Sequence, residues 1–402
     1  MGVDTAPVLT PQPGSSPEVS GGRFRRAGAA LGSAATGPVV VSVVVALVIG
    51  AGILAVAGAD PVAAYRVMVR GSLTGPGLVN TFERAVPLVG MALALSVAFR
   101  AGVFNLGGEG QLVLGGLAGT VVALFVPGPG ALVMVLALVA AVVAGGLWGV
   151  LAALLQTSLG VPILISSLLL SYPARYLSSY LVRFPLKERD SSMVATEPVP
   201  PGTRLPALVS GDSGLGQWLS STLGDSVLVR LTSRLDWSLV VIVALVVGVA
   251  LVNRRTPAGF EAGLTGLNAG FARYAGVRTD RLTVVTMFAS GGIAGLVGVM
   301  LVLGSQIRLI DGALVQTNYA WTGLLVALLA ASRPVGVAVA GAFFAAIVVG
   351  GEAMQREAGV SAQISQVILA VVIVLFAVRL QITWRRRRTA AVRSATDDPG
   401  RV

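Results

Sequence analysis

The stretch NRRTPAGFEAGLTGLNAGFARYAGVRTDR, residues 253–281, is the most basic polar insert within the hydrophobic part of the chain. Arg254, Arg255, Arg273, Arg278 and Arg281 outnumber Glu261 and Asp280 there. Apolar runs flank it, residues 237–252 before and 282–304 after, each apolar enough to cross a bilayer. An arginine-rich connector between two spans is held on the cytoplasmic side, because positive charge resists translocation. Its pattern predicts two short helices, over 258–264 and 269–275, separated by the turn-prone Gly266-Leu267-Asn268. The second carries Phe271, Tyr274 and Ala275 at helical spacing and ends at Gly276, so it offers an apolar face to the groove of a partner.

Composition sets the same class for the whole chain. Hydrophobic residues make up 55% of it and charged residues only 12%, and several apolar runs approach the roughly 20 residues that span a bilayer core. The expected fold is an all-α integral membrane protein, a polytopic bundle of about ten transmembrane helices; a barrel would instead alternate in segments of roughly 10 residues. The formal charge of +11 is better explained by topology than by nucleic acid, since the arginines cluster at span ends and tails. With no cysteine and no histidine there is no disulfide, no thiolate or imidazole metal site and no nucleophile–histidine triad. Lys187, the only lysine, lies in Phe-Pro-Leu-Lys-Glu, so no phosphate-binding loop of the Gly-x4-Gly-Lys type exists. No catalytic residue, metal or cofactor is expected on this chain.

Taken in order, residues 1–37 read as a polar, basic cytoplasmic tail, 38–384 as the membrane domain and 385–402 as a second basic cytoplasmic tail. Crossings are expected at 39–57, 84–100, 104–126, 131–155, 162–182, 237–252, 282–304, 319–331, 334–350 and 364–380. Ala55-Val56-Ala57 resembles a signal-peptidase site, but the length of the first run and the spans that follow favour a retained anchor. The 185–235 segment, balanced in charge, fits an extracytoplasmic loop, and 60–80 a short one. An even number of crossings then places both termini and the 253–281 loop on the cytoplasmic side of the cell membrane. Gly115 with Gly119, Gly145 with Gly149 and Gly291 with Gly295 are small-x3-small pairs that let helices approach closely in lipid.

Val103-Phe-Asn-Leu-Gly-Gly-Glu-Gly-Gln111 is the sharpest pore candidate. Its glycines interrupt an apolar span, and Glu109 is an ionisable residue near membrane depth, where charge is costly without a partner or a cavity. Asn105, Glu109 and Gln111 either hydrogen-bond a polar solute or brace a helix turn. Trp321 and Tyr319 read as interfacial anchors or as the lining of an outer vestibule, where an aromatic face suits a purine. Asn80, Glu83, Ser166, Ser167, Ser171, Gln306 and Asn318 are further polar residues at depth. No Asp/Glu pair at helical spacing lies in a span, which argues against a membrane-embedded enzyme.

Two motifs carry a family resemblance. Gly266-x-Asn268 followed by Ala272-Arg273-Tyr274-Ala275-Gly276-Val277 resembles the cytoplasmic coupling segment of ABC-importer permeases of the branched-chain amino acid, simple sugar and nucleoside branch. The Asn105–Gln111 motif is similar to the signature of the nucleoside and simple-sugar members. One departure stands out: relatives carry an arginine just before Gly-x-Asn, where this chain has Gly263. The resemblance implies a type II importer-permease-like bundle that works by alternating access. It implies an ABC ATPase subunit carrying ATP and Mg, a second, paralogous permease subunit and an extracytoplasmic substrate-binding lipoprotein. Coupling to the ATPase would fall to Glu261, Gly266, Asn268, Phe271, Ala272, Arg273, Tyr274, Ala275 and Gly276. The solute path or gate would fall to Asn105, Glu109, Gln111 and Trp321. The implied cargo is a nucleoside or related simple-sugar solute; the alternatives are an ABC permease for monosaccharides or branched-chain amino acids, or an ion-coupled secondary transporter with Glu109 as its main candidate.

Overall fold

The computed structural model describes residues 44–359 apart from 46, 57, 190 and 225, together with 363, 366, 367, 370 and 371. Both expected tails and most of the closing crossing lie outside the described residues. Within them the chain is helical, and the extended pairing is limited to isolated bridges, Lys187 with Thr196, Ala195 with Ile310 and Ala207 with Asp236.

The helices run α1 (Leu47–Val56), α2 (Pro61–Leu73), α3 (Gly75–Arg100), α4 (Gly108–Phe125), α5 (Gly130–Leu159) and α6 (Ile163–Arg183). Two short helices, α7 (Gly214–Leu223) and α8 (Val227–Arg234), lie in the long connection before α9 (Ser238–Arg255). The basic connector holds α10 (Pro257–Leu267) and α11 (Ala269–Tyr274). Then come α12 (Thr279–Met300), α13 (Ala313–Gln316), α14 (Tyr319–Leu329) and α15 (Pro334–Ala358). Six of these, α3, α4, α5, α9, α12 with its π-helical extension, and α15, are long and apolar enough to cross a membrane. Of the other expected crossings, α1 is described over ten residues, α6 carries two arginines and several hydroxyls, and α14 has only eleven residues. The expected outer loop at 60–80 is instead largely helical. Asp60 caps α2 by accepting from the amides of Val62 at 2.9 Å and Ala63 at 3.3 Å, and α2 packs along α15.

The core is the meeting of α3, α4, α5 and α12, and glycine makes it possible. A Cβ built on Gly115 would lie 2.6 Å from the Gly295 carbonyl carbon, and one on Gly145 would lie 2.9 Å from Gly295 Cα. The predicted small-residue pairs therefore face one another, backbone against backbone, as helices with no hydrophobic drive between them require. The opposite surface of α5 exposes Leu132, Val139, Leu147 and Leu154, and in α9 only Ile242 is buried. Such faces suit hydrocarbon.

The 185–235 segment is stitched onto the end of α12. From Leu301 to Gln306 that helix widens to π form and stops at Ile307, which takes the left-handed conformation with φ 63°. The widening and stop free carbonyl groups. Leu303 accepts from Leu205 at 3.0 Å, Ile307 from Val199 at 2.8 Å and Leu309 from Thr196 at 3.0 Å. Arg308 with Glu188 at 2.7 Å and Arg183 with Asp311 at 2.5 Å tie the same cap at its rim.

Candidate functional site

Between α3 and α4 the chain makes an irregular turn that dives into the bundle. Gly102, at φ 76°, reverses it, and residues 103–107 run without regular structure until α4 starts at Gly108. Asn105 is fully buried. Its Nδ2 donates to Gln111 Oε1 at 2.8 Å and to Ser290 Oγ at 2.9 Å, while its Oδ1 accepts from the Gly107 amide at 2.9 Å and Gln111 Nε2 at 3.2 Å. An amide side chain offers two donors and two lone pairs, so Asn105 has none to spare. Leu106 N donates to Ser167 Oγ at 3.1 Å, which fastens the turn to α6. The glycines of the motif serve close approach: a Cβ on Gly110 would lie 2.8 Å from Ser171 Cα.

Glu109 points elsewhere. It is only 9% exposed, and its Oε2 accepts from the Trp321 indole Nε1 at 3.2 Å. Its Oε1 lies 3.3 Å from Arg175 Nη1 without hydrogen-bond alignment and has no other partner. Arg175 stands twelve residues beyond Ile163 in α6, about 18 Å along the axis, with its guanidinium 6.0 Å from the centre of the Tyr172 ring. Three helices thus bring a carboxylate, a guanidinium and an indole together. Glu109 and Trp321 line a cavity of about 10 Å³, together with Leu95, Leu106 and Leu324. Sequence reasoning missed Arg175 and Ser290. The signal for Arg175 was present, since an arginine deep in an otherwise apolar run needs a counter-charge.

Arg175 borders a second cavity, of about 240 Å³. Tyr176, Ser178, Ser179, Asp311 and Gln316 supply its polar walls, and Val113 and Leu314 its apolar ones.

At the far end of α3 lies the basic connector. The two expected helices form, with α10 starting one residue earlier and ending three later than the pattern suggests. Asn268 caps α11 by accepting from the Phe271 amide at 3.0 Å, and Gly276, at φ 89°, ends it. Ala272 is buried, Glu261 half-buried, and Arg273 reaches Thr279 Oγ1 at 3.3 Å. Phe271 and Tyr274 face outward, Tyr274 at 93% exposure. Gly266 is set against the α3 terminus, where a Cβ would come 3.1 Å from the Arg100 carbonyl carbon and the Gly102 amide. Beside Gly263 there is a guanidinium after all. It belongs to Arg100, whose Nη2 lies 3.5 Å from the carbonyl oxygens of Asn253 and Gly259.

A glycine-sealed bundle of long apolar helices, with a half-buried carboxylate–guanidinium pair between two of them and a basic connector at one end, is the architecture of a polytopic membrane protein. The chain belongs to the family described as branched-chain amino acid transport system / permease component, whose pattern it matches over residues 77–377. It is 35% identical to a glucose ABC transporter permease protein of Haloferax volcanii, over 91% of this chain and 95% of that one. It is 25% identical to a nucleoside ABC transporter permease protein of Lactococcus lactis, over 88% and 94% of the two chains. A guanosine ABC transporter permease protein of Bacillus subtilis is 29% identical over 84% and 91%. No solved structure matches the chain.

Proposed function

We propose that this chain is the permease subunit of an ABC importer for nucleosides or related simple sugars, and that it moves solute by alternating access while a separate ATPase supplies the energy. The observation that carries this reading is the backbone contact of Gly266 with Arg100 and Gly102. A push on α10 and α11 is delivered there three residues before Asn105, and Asn105 is clamped to Gln111 and, through Ser290, to α12. Asn105 and Gln111 brace the turn, because the hydrogen-bonding groups of Asn105 are consumed by Gln111, Ser290 and Gly107, and Gln111 is buried against it. Glu109 and Trp321, with Arg175, line the gate. Phe271 and Tyr274 form the ATPase-facing surface, with Asn268 and Gly276 fixing the ends of their helix.

The rest of the assembly follows from the same reading. A paralogous permease completes the membrane pore, and a lipoprotein delivers solute to the outer cap formed by 185–235. ATP and Mg belong to the ATPase. The ion-coupled alternative requires a carboxylate free to take up and release a cation at depth, and Glu109 is held by an arginine and an indole. Proteoliposomes holding the full complex test the proposal. Uptake of guanosine or glucose that requires ATP supports it, and uptake that follows an ion gradient and ignores ATP contradicts it.

A further inference from the structure

We propose that the cavity bounded by α6 and the 309–316 segment is a solute site for a neutral, hydroxyl-bearing ring, a sugar or the sugar portion of a nucleoside. The inference rests on the importer reading and adds to it a place and a chemical class. The cavity holds about 240 Å³, somewhat below the range of about 300–1,000 Å³ typical of drug-sized ligands, which suits a single polar ring with part of a second. Its walls combine donors and acceptors with an aromatic face. Ser178, Ser179 and Gln316 offer hydroxyl and amide groups, and the Tyr176 ring is largely exposed at 73%.

Charge decides the class. Both charges on the wall are already matched, Arg175 by Glu109 at 3.3 Å and Asp311 by Arg183 at 2.5 Å. An amino acid zwitterion seeks an unmatched charge of each sign, and here it would compete with Glu109 for Arg175 and with Arg183 for Asp311. A hydroxyl needs neither. The guanidinium carries five N–H donors and the carboxylate about four lone-pair directions, so both can bond a hydroxyl with the ion pairs intact. A nucleotide, bringing net negative charge, would find no unmatched cation on this wall. Arg175 faces both the cavity and Glu109, so a solute seated here touches the same guanidinium that closes the gate. Its arrival is thereby reported to the α4 turn.

The chain contains no cysteine, which makes a direct test available. Ser179→Cys and Gln316→Cys each introduce a single thiol in the cavity, and Ser221→Cys introduces one on exposed α7 as a control. The complex is reconstituted and labelled from outside with a charged methanethiosulfonate, with guanosine, D-glucose or L-leucine present. A probe at about ten times its dissociation constant should slow labelling at both 179 and 316 by about tenfold and leave 221 unchanged. Protection by guanosine alone identifies the nucleoside as the occupant, and protection by glucose the free sugar. Protection by leucine, or by none of the three while ATP-driven uptake of guanosine or glucose persists, overturns the site and leaves the importer reading standing. Loss of all ATP-driven uptake by the unsubstituted complex overturns the importer reading itself.

Discussion

Glu109 is a carboxylate that the protein keeps nine-tenths buried, and its two oxygens are answered by different helices, Arg175 on α6 and Trp321 on α14. Truncating one partner of such a pair is worse than removing both, because it leaves the other charge without compensation. Arg175→Ala should therefore destabilise the chain, though by less than the about 3–5 kcal/mol of a fully buried pair, since the Arg175 side chain is 44% exposed. The double change Glu109→Gln with Arg175→Ala should recover most of that loss without recovering uptake. Thermal unfolding in detergent alongside uptake in vesicles separates the two effects; equal losses in the single and double variants would contradict the pairing. Glu109 was legible in the sequence because it stands alone among glycines and apolar residues. Its partner was not, because a window average dilutes one arginine among leucines and because the two residues meet only through packing of α4 on α6. The Asn105–Gln111 brace was half legible. The residue types showed a polar knot, but only the fold shows that Asn105 is fully engaged by Gln111, Ser290 and Gly107.

At the scale of elements, the chain relies on glycine where helices touch and is indifferent to it elsewhere. Gly145→Val should push α5 off α12, at a cost of about 1–3 kcal/mol or more, because the built Cβ already overlaps backbone. Gly248→Val in α9 should be tolerated, since nothing lies within 4 Å of its Cβ position. Monodispersity of the two proteins in gel filtration checks the contrast; similar behaviour would mean the seam is misplaced. The coupling helices follow a different rule. Asn268→Ala should cost about 1 kcal/mol of local helix stability through the lost cap and lower uptake without unfolding the bundle. Uptake at the level of the unsubstituted protein would argue against a role for the α11 start. Both coupling helices were readable beforehand because capping and termination are local chemistry, carried by Asn268 and Gly276. The folding of the outer cap onto Leu303, Ile307 and Leu309 was not, because it depends on a π-helical ending whose cause is tertiary. The 60–80 stretch is expected only as a short outside segment, and much of it is helical and packs against α15.

At the scale of the whole molecule, the proposed reading gives this chain a brace, a gate and a docking face and takes its energy from a separate ATPase, so on its own it should only let solute equilibrate. A ligand or motor shifts a two-state gate only by the difference in its affinity for the two states. Tyr274→Asp should leave folding unaffected, because that ring is 93% exposed, and should abolish co-purification of the ATPase. Undiminished co-purification would move the docking face elsewhere. The most direct measurement is the ratio of internal to external solute in proteoliposomes, made with this chain alone and then with its ATPase, partner permease and binding protein. The expected ratio is one without the companions and well above one with them and ATP. A chain that concentrates solute unaided would contradict the reading of a gate driven from the cytoplasmic side.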